Sequence, residues 1–198
     1  TVIFRYHRED TFLSSLFSQF PNISTDSILL GRITESDLDA LYEIYRNPNV
    51  FTYIPGSAKK SKETVLHMIG HFERDFRKKK MIFLGVFRKE NPNELIGTAE
   101  IFEYNPKVNK VVIGYRFNES CWGRGAATET VHAMVGYLFD TVGLNRIEAY
   151  VMPQNAASQR VLEKNGFIRE GLLRQANLWT DKGIVDLIVY SLLRSDVR

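Results

Sequence analysis

The sequence predicts an α+β fold, and three observations carry that prediction. The apolar pattern switches between helix and strand spacing in an irregular order: strand, two helices, three consecutive strands, then helix, strand, helix and a closing hairpin. This order lacks the repeated βαβ units of a doubly wound sheet. The length of 198 residues suits one domain with a full core. Hydrophobic content is 44% and charged content 25%, both ordinary for a globular chain. No internal repeat or low-complexity tract is present.

Residues 1–26 form an extension. Phe12, Leu13, Leu16, Phe17 and Phe20 fall on one helical stripe, which predicts an amphipathic helix packed on its own domain, on a second subunit or on a substrate. The domain proper spans 27–198. Residues 27–33 read as its first strand. A helix over 34–46 follows, capped by Thr34 and carrying Leu38, Leu41, Tyr42 and Tyr45 on one side. Asn47-Pro48 stops it. Residues 61–76 read as a second helix, with Val65, Ile69, Phe72 and Phe76 in a stripe. Strands over 81–88 and 94–104 are joined by a turn at Asn91-Pro92-Asn93, and 108–117 completes an antiparallel meander.

The meander ends in Trp122-Gly123-Arg124-Gly125-Ala126-Ala127, followed by a predicted helix over 128–142 with Val131, Val135, Leu138 and Val142 at helical spacing. A turn without large side chains at a helix start lets backbone N–H groups face a ligand. The positive end of the helix dipole adds to that field, so the natural guest is a phosphate or pyrophosphate. A tight strand-to-helix turn with no ligand reads the same way. The dinucleotide fingerprint is excluded because Thr128 stands at its third glycine. The P-loop is excluded because G-x-x-x-x-G-K-[ST] does not occur.

A strand over 146–151 then leads to a short helix, with Asn155 as N-cap and Gly166 as the glycine just past its end. Taken together, Trp122-Gly-x-Gly-x-Ala127 and Asn155-x-x-Ser158-x-Arg160-Val-Leu-Glu-x-x-Gly166-Phe167 resemble the core of the GNAT acetyltransferase superfamily, in its RimJ/RimL-like branch. The family loop [QR]-x-x-G-x-[GA] is matched except at its first position, Trp122. The likeness runs from about residue 27 to 195. It includes Leu29-Leu30-Gly31-Arg32-Ile33-Thr34, Arg46-Asn47-Pro48-Asn49-Val50, Tyr53-Ile54-Pro55, and the pair Gly171-x-x-Arg174 and Gly183-x-x-Asp186.

The resemblance implies a GNAT fold: a mixed, mostly antiparallel sheet splayed into a V between the strands at 108–117 and 146–151, with helices on both faces. It implies acetyl-CoA as co-substrate, its pantetheine lying in that split. Trp122, Gly123, Arg124, Gly125, Ala126 and Ala127 would then surround the pyrophosphate, mainly through backbone N–H groups. Asn155 would hydrogen-bond pantetheine, and Ser158 would donate to the departing thiolate. The implied reaction is attack of a neutral amine on the thioester carbonyl, speeded by positioning and by oxyanion stabilisation. The expected acceptor is a protein N-terminal α-amine. A polyamine, amino sugar or antibiotic is the alternative acceptor, and an acyl-CoA-binding module without turnover is the third reading.

Two departures bear on catalysis. Many relatives carry a tyrosine acid four residues after the position of Ser158, and this chain has Leu162. Many carry a glutamate two residues before the Gly-Tyr of the strand, and this chain has Val112. Strand alternation places Thr98, Glu100, Phe102 and Tyr104 on one face and Ala99, Ile101 and Glu103 on the other. Glu100 and then Glu103 are the candidate bases, directly or through water. An acidic, enclosed surround of Glu100, Glu103 and Asp186 would favour a small amine, and an open groove a peptide. Asp186, alone among apolar neighbours, needs a partner and reads best as a loop anchor.

Other classes fit poorly. A net charge of +3 and a pI near 8.9 are too mild to argue for nucleic acid. Arg77-Lys78-Lys79-Lys80 reads as a solvated helix end. Cys121 is the sole cysteine, so no internal disulfide forms, which suits the cytoplasm. It reads as a small buried residue, not a nucleophile. No apolar run reaches the roughly 20 residues a bilayer requires. The first residues, with Arg5, Arg8, Glu9 and Asp10, do not read as a signal peptide. His67 and His71 are four apart but lack a third ligand, so no metal is expected. An exposed sheet edge and the aromatic N-terminal segment are compatible with a homodimer.

Overall fold

The computed structural model describes residues 16–197. Its strands are β1 (Ile23–Ser24), β2 (Ile28–Gly31), β3 (Met81–Arg88), β4 (Leu95–Asn105), β5 (Lys110–Phe117), β6 (Arg146–Val151), β7 (Ile168–Trp179) and β8 (Gly183–Leu193). They form one sheet in the order β1-β2-β3-β4-β5-β6-β8-β7. Every neighbouring pair is antiparallel except β5 with β6. That parallel pairing covers only Lys110–Val112 against Arg146–Glu148. Beyond it, Ile113–Phe117 and Ala149–Val151 part company, and the sheet opens into a V.

The closed end of the V is held by charge. Glu148 is buried and accepts from Lys110 Nζ at 2.6 Å and Arg146 Nε at 2.7 Å. Arg146 reaches on to Glu170 with two hydrogen bonds of 2.8 and 2.5 Å, and Ser191 Oγ donates to Glu170 at 2.7 Å. A buried carboxylate is tolerated because each of its oxygens is paired.

Helices α1 (Leu38–Tyr45) and α2 (Lys62–Arg77) lie on one face, and α3 (Ala126–Gly136) and α4 (Ala156–Lys164) on the other. Leu41, Ile44, Tyr45, Val65, Ile69 and Phe72 pack with Phe87 and Leu95 on the first face. Met134, Leu138 and Leu162 pack with Leu84, Ile101, Ile113 and Ile147 on the second. Leu16 and Phe17 are buried in that second core, and the Phe20 ring stands edge-on to Phe76 at 5.1 Å. Phe12 and Leu13, also on the expected stripe, lie outside the described residues.

Several element boundaries differ from expectation, each for a local reason. The helix expected over 34–46 begins as a 3-10 turn at Glu35–Asp37, because Thr34 N–H donates to Asp37 Oδ2 at 2.7 Å and tightens the first turn. The helix expected over 128–142 starts at Ala126 and ends in a wider π turn, Tyr137–Thr141. The alternation expected along β4 fails at Glu103, which has φ +52°. Phe102 faces Val112 and Asn105 faces Lys110, so two β4 residues oppose one on β5 in a bulge. Strand β7 runs on to Trp179 through a bulge between Leu173 and Asn177. There Asp186 Oδ1 accepts the Gln175 N–H at 2.7 Å, which anchors the bulge.

Candidate active site

The open mouth of the V gathers three groups of residues. The first is the loop from β5 to α3. Asn118 Oδ1 accepts the Ser120 N–H at 3.1 Å and opens a 3-10 turn, Glu119–Cys121. Cys121 is buried. Trp122 is exposed, and its indole Nε1 donates to the Phe117 carbonyl at 3.0 Å, fixing the ring beside the end of β5. Gly123 and Gly125 have φ of +71° and +88°. A Cβ built on either would meet nothing within 4 Å, so their backbone faces open space. Gly125 is the N-cap of α3, and among the described residues no side chain caps this helix start. The first-turn N–H groups, with Ala126 and Ala127 beside them, therefore point outward unsatisfied. Arg124 is exposed and makes no ion pair among the described residues. This loop can hold a diphosphate.

The second group spans the split. Asn155 caps α4, its Oδ1 accepting the Ser158 N–H at 3.1 Å. Ser158 is half-buried on the inner side of α4, and its Oγ lies 2.8 Å from the hydroxyl of Tyr115 on β5. Burial pushes the Tyr115 phenol up to about 12, against a smaller lowering from its contact with Ser158. Asn155 and Ser158 thus sit together as expected from their spacing. Tyr115 is a member of this group that sequence reasoning missed.

The third group lies on the opposite face of β5. Glu100 is buried and stands directly across from Gly114. A Cβ on Gly114 would come 3.4 Å from Glu100 Oε2, so the bare glycine makes room for the carboxylate. Glu100 is ion-paired with Arg116. The guanidinium of Arg116 sits 5.1 Å from the Tyr45 ring centroid and 5.9 Å from that of Phe51. Its Nε is buried with no hydrogen-bond partner among the described residues. Arg116 was also missed, although alternation from Val112 through Gly114 places it on the face of Glu100.

Glu103, the second candidate base, is placed elsewhere. The bulge turns it out to solvent, where it lines a shallow hollow with Lys79, Lys80, Phe102 and Tyr104. That hollow includes neither Glu100 nor Ser158.

Two contacts frame the face that holds Glu100. Asn47 Nδ2 and Asn49 Nδ2 donate to Glu119 at 2.6 and 3.1 Å, tying the segment after α1 to the glycine loop. These bonds, Asn47 first, hold the Glu119 carboxyl below its usual range. Across the mouth, Asp181 at the tip of the β7–β8 turn accepts the Gly56 N–H at 3.2 Å. Among the described residues no group of three or more His, Cys, Asp or Glu could hold a metal. Nor is any described helix long and apolar enough to cross a membrane.

Comparison with known proteins bears on this geometry. Residues 27–168 match the model of the acetyltransferase (GNAT) domain. The chain is 34% identical over 175 residues to the uncharacterized N-acetyltransferase YoaA of Bacillus subtilis (strain 168), covering 88% of this chain and 98% of that protein. It is 30% identical over 164 residues to a ribosomal-protein-serine acetyltransferase of Escherichia coli (strain K12), covering 79% and 88%. A crystal structure of a GNAT-family acetyltransferase from Bacillus anthracis superposes with a TM-score of 0.78 at 25% identity, covering 88% of this chain and 99% of that one.

Proposed function

We propose an acceptor and a chemistry from one premise: this chain belongs to the GNAT acetyltransferase family and is an acetyl-CoA-dependent acetyltransferase of α+β GNAT fold. The acceptor is a protein N-terminal α-amine. The observation that carries this reading is the fate of the carboxylates. An acidic pocket for a polyamine or amino sugar needs Glu100, Glu103 and Asp186 free and together. Glu100 is neutralised by Arg116, Glu103 faces solvent elsewhere, and Asp186 is spent on the Gln175 N–H. An α-amine needs less help than a lysine or polyamine. Its pKa near 8 leaves a useful neutral fraction, against about 10.4 for a lysine amine. The likeness to a ribosomal-protein-serine acetyltransferase supports the same choice and a cytoplasmic site of action.

Acetyl-CoA supplies an activated thioester carbonyl. The backbone N–H groups of Gly123, Arg124, Gly125, Ala126 and Ala127 hold its pyrophosphate, with Trp122 alongside and Arg124 free to pair with a phosphate. The unpaired edge of Ile113–Phe117 lines the pantetheine arm, and the amide nitrogen of Asn155 reaches it while its oxygen caps α4. Ser158 donates to the sulfur. Glu100, on the acceptor face, orients the incoming amine and takes its proton through water.

The test is acetyl transfer from acetyl-CoA to a panel of N-terminal peptides, polyamines and amino sugars, with the modified nitrogen located by mass spectrometry. α-Acetylated peptides are expected. Turnover confined to small amines would sink the acceptor assignment. Failure to bind CoA would sink the whole site.

A further inference from the structure

Ser158 has one hydroxyl proton and two lone pairs, so its partner decides what the proton does. Two oxygens of Ser158 face the Tyr115 hydroxyl, Oγ at 2.8 Å and the backbone carbonyl at 3.4 Å. The phenol has one proton for two acceptors: the carbonyl at 3.4 Å, which can only accept, and Oγ at 2.8 Å, where either hydroxyl can donate; the shorter contact favours donation to Oγ. A phenol that burial holds up to about 12 keeps its proton throughout the working range. The Ser158 N–H is already given to Asn155, and Leu162, one turn along α4, is buried and apolar. With Oγ accepting from Tyr115, the serine O–H remains free to point into the split.

We propose that Tyr115 is a positioning residue for acetyl transfer: by donating to Ser158 Oγ across the V, it leaves the serine O–H as the donor to the coenzyme sulfur. This rests on the site assigned above. As the amine nitrogen bonds to the carbonyl carbon and the carbon–sulfur bond breaks, the electron pair passes to sulfur. The sulfur leaves as a thiolate hydrogen-bonded by Ser158, and the surplus amine proton passes through water to Glu100. Tyr115 and Ser158 keep their protons, because a thiol of pKa about 8.5 needs a hydrogen bond, not a full proton, to depart.

The experiment compares binding of CoA and of desulfo-CoA, which lacks the sulfur, by titration calorimetry at pH 9 on the full chain. Wild type should prefer CoA by roughly tenfold or more, the size of a hydrogen bond to a charged group. Ser158→Ala and Tyr115→Phe should each lose most of that preference and keep their affinity for desulfo-CoA. In turnover, each variant should lower kcat about tenfold or more with KM for acetyl-CoA little changed, and the double variant should fall no further than Ser158→Ala alone. A merely structural tyrosine would instead move KM and thermal stability and give multiplying losses. Retention of the CoA preference in Tyr115→Phe, multiplying losses in the double variant, or no preference in wild type would each overturn the proposal. If wild type bound neither compound, the coenzyme site itself would fall, and Tyr115's role with it.

Discussion

The hydroxyls of Tyr115 and Ser158 meet at 2.8 Å, linking β5, beyond its pairing with β6, to helix α4. Replacing Ser158 by Ala should lower kcat by about 10- to 100-fold while the affinity for acetyl-CoA changes little, the signature of a donor that acts as charge develops on the leaving group. Steady-state kinetics alongside calorimetric binding would check this. An unchanged kcat would remove the serine from the mechanism.

Gly125→Asp should abolish CoA binding. The chain has room for the side chain, since nothing lies within 4 Å of a Cβ there, so the fold should survive with only a few degrees lost to the +88° φ. The added carboxylate would stand where a diphosphate is proposed to sit. Gly125→Ala, which carries the strain without the charge, should retain much of the binding. Equal losses in the two variants would point to backbone geometry and not to charge.

Glu100→Gln should both slow turnover and destabilise the protein. It strands the largely buried guanidinium of Arg116, and breaking a buried pair from one side costs about 3 kcal/mol. Urea unfolding of Glu100→Gln, Arg116→Met and the double variant gives the coupling directly. If the double variant recovers stability but not activity, Glu100 has a chemical role beyond its ion pair.

Acid should weaken the closed end of the V. Glu170 is held down to about 2 by its hydrogen bonds with Arg146 and then Ser191. Its folded pKa lies below the unfolded carboxylate value near 4.3, so its stabilisation is full above that pH and fades as pH falls toward 2. Glu170→Gln should therefore be less stable than wild type at pH 7, with the gap shrinking below about pH 4. A gap that does not depend on pH would mean that packing, not charge, accounts for the difference.

Much of this was legible along the chain because it is local. Thr34 opens the first helical turn, though through its N–H bond to Asp37 and not a side-chain cap; the Asn155 side chain caps α4, and Gly166, with φ +82°, lies just past the end of α4. The glycine pair before α3 and the Asn155–Ser158 spacing located the mouth of the V. Tyr115 was not legible, because it meets Ser158 from 43 residues away by packing of a strand against a helix. Arg116 was legible only in part: alternation gives its face of the strand, but its meeting with Glu100, 16 residues away, depends on the register of β4 against β5. Glu103 misled for a different reason. Period-two alternation assumes a regular strand, and the extra residue at its bulge turned the side chain out of line.

Along β5 the side chains of Ile113, Tyr115 and Phe117 face α3 and α4, whereas Gly114 and Arg116 face α1 and its loop. On the proposed assignment, donor and acceptor have separate doors onto the same few atoms of one strand. Neither has to depart before the other arrives, and no stored acetyl group on the protein is needed between them. Initial-velocity plots should therefore show intersecting lines, and radiolabelled acetyl-CoA alone should leave no label on the chain.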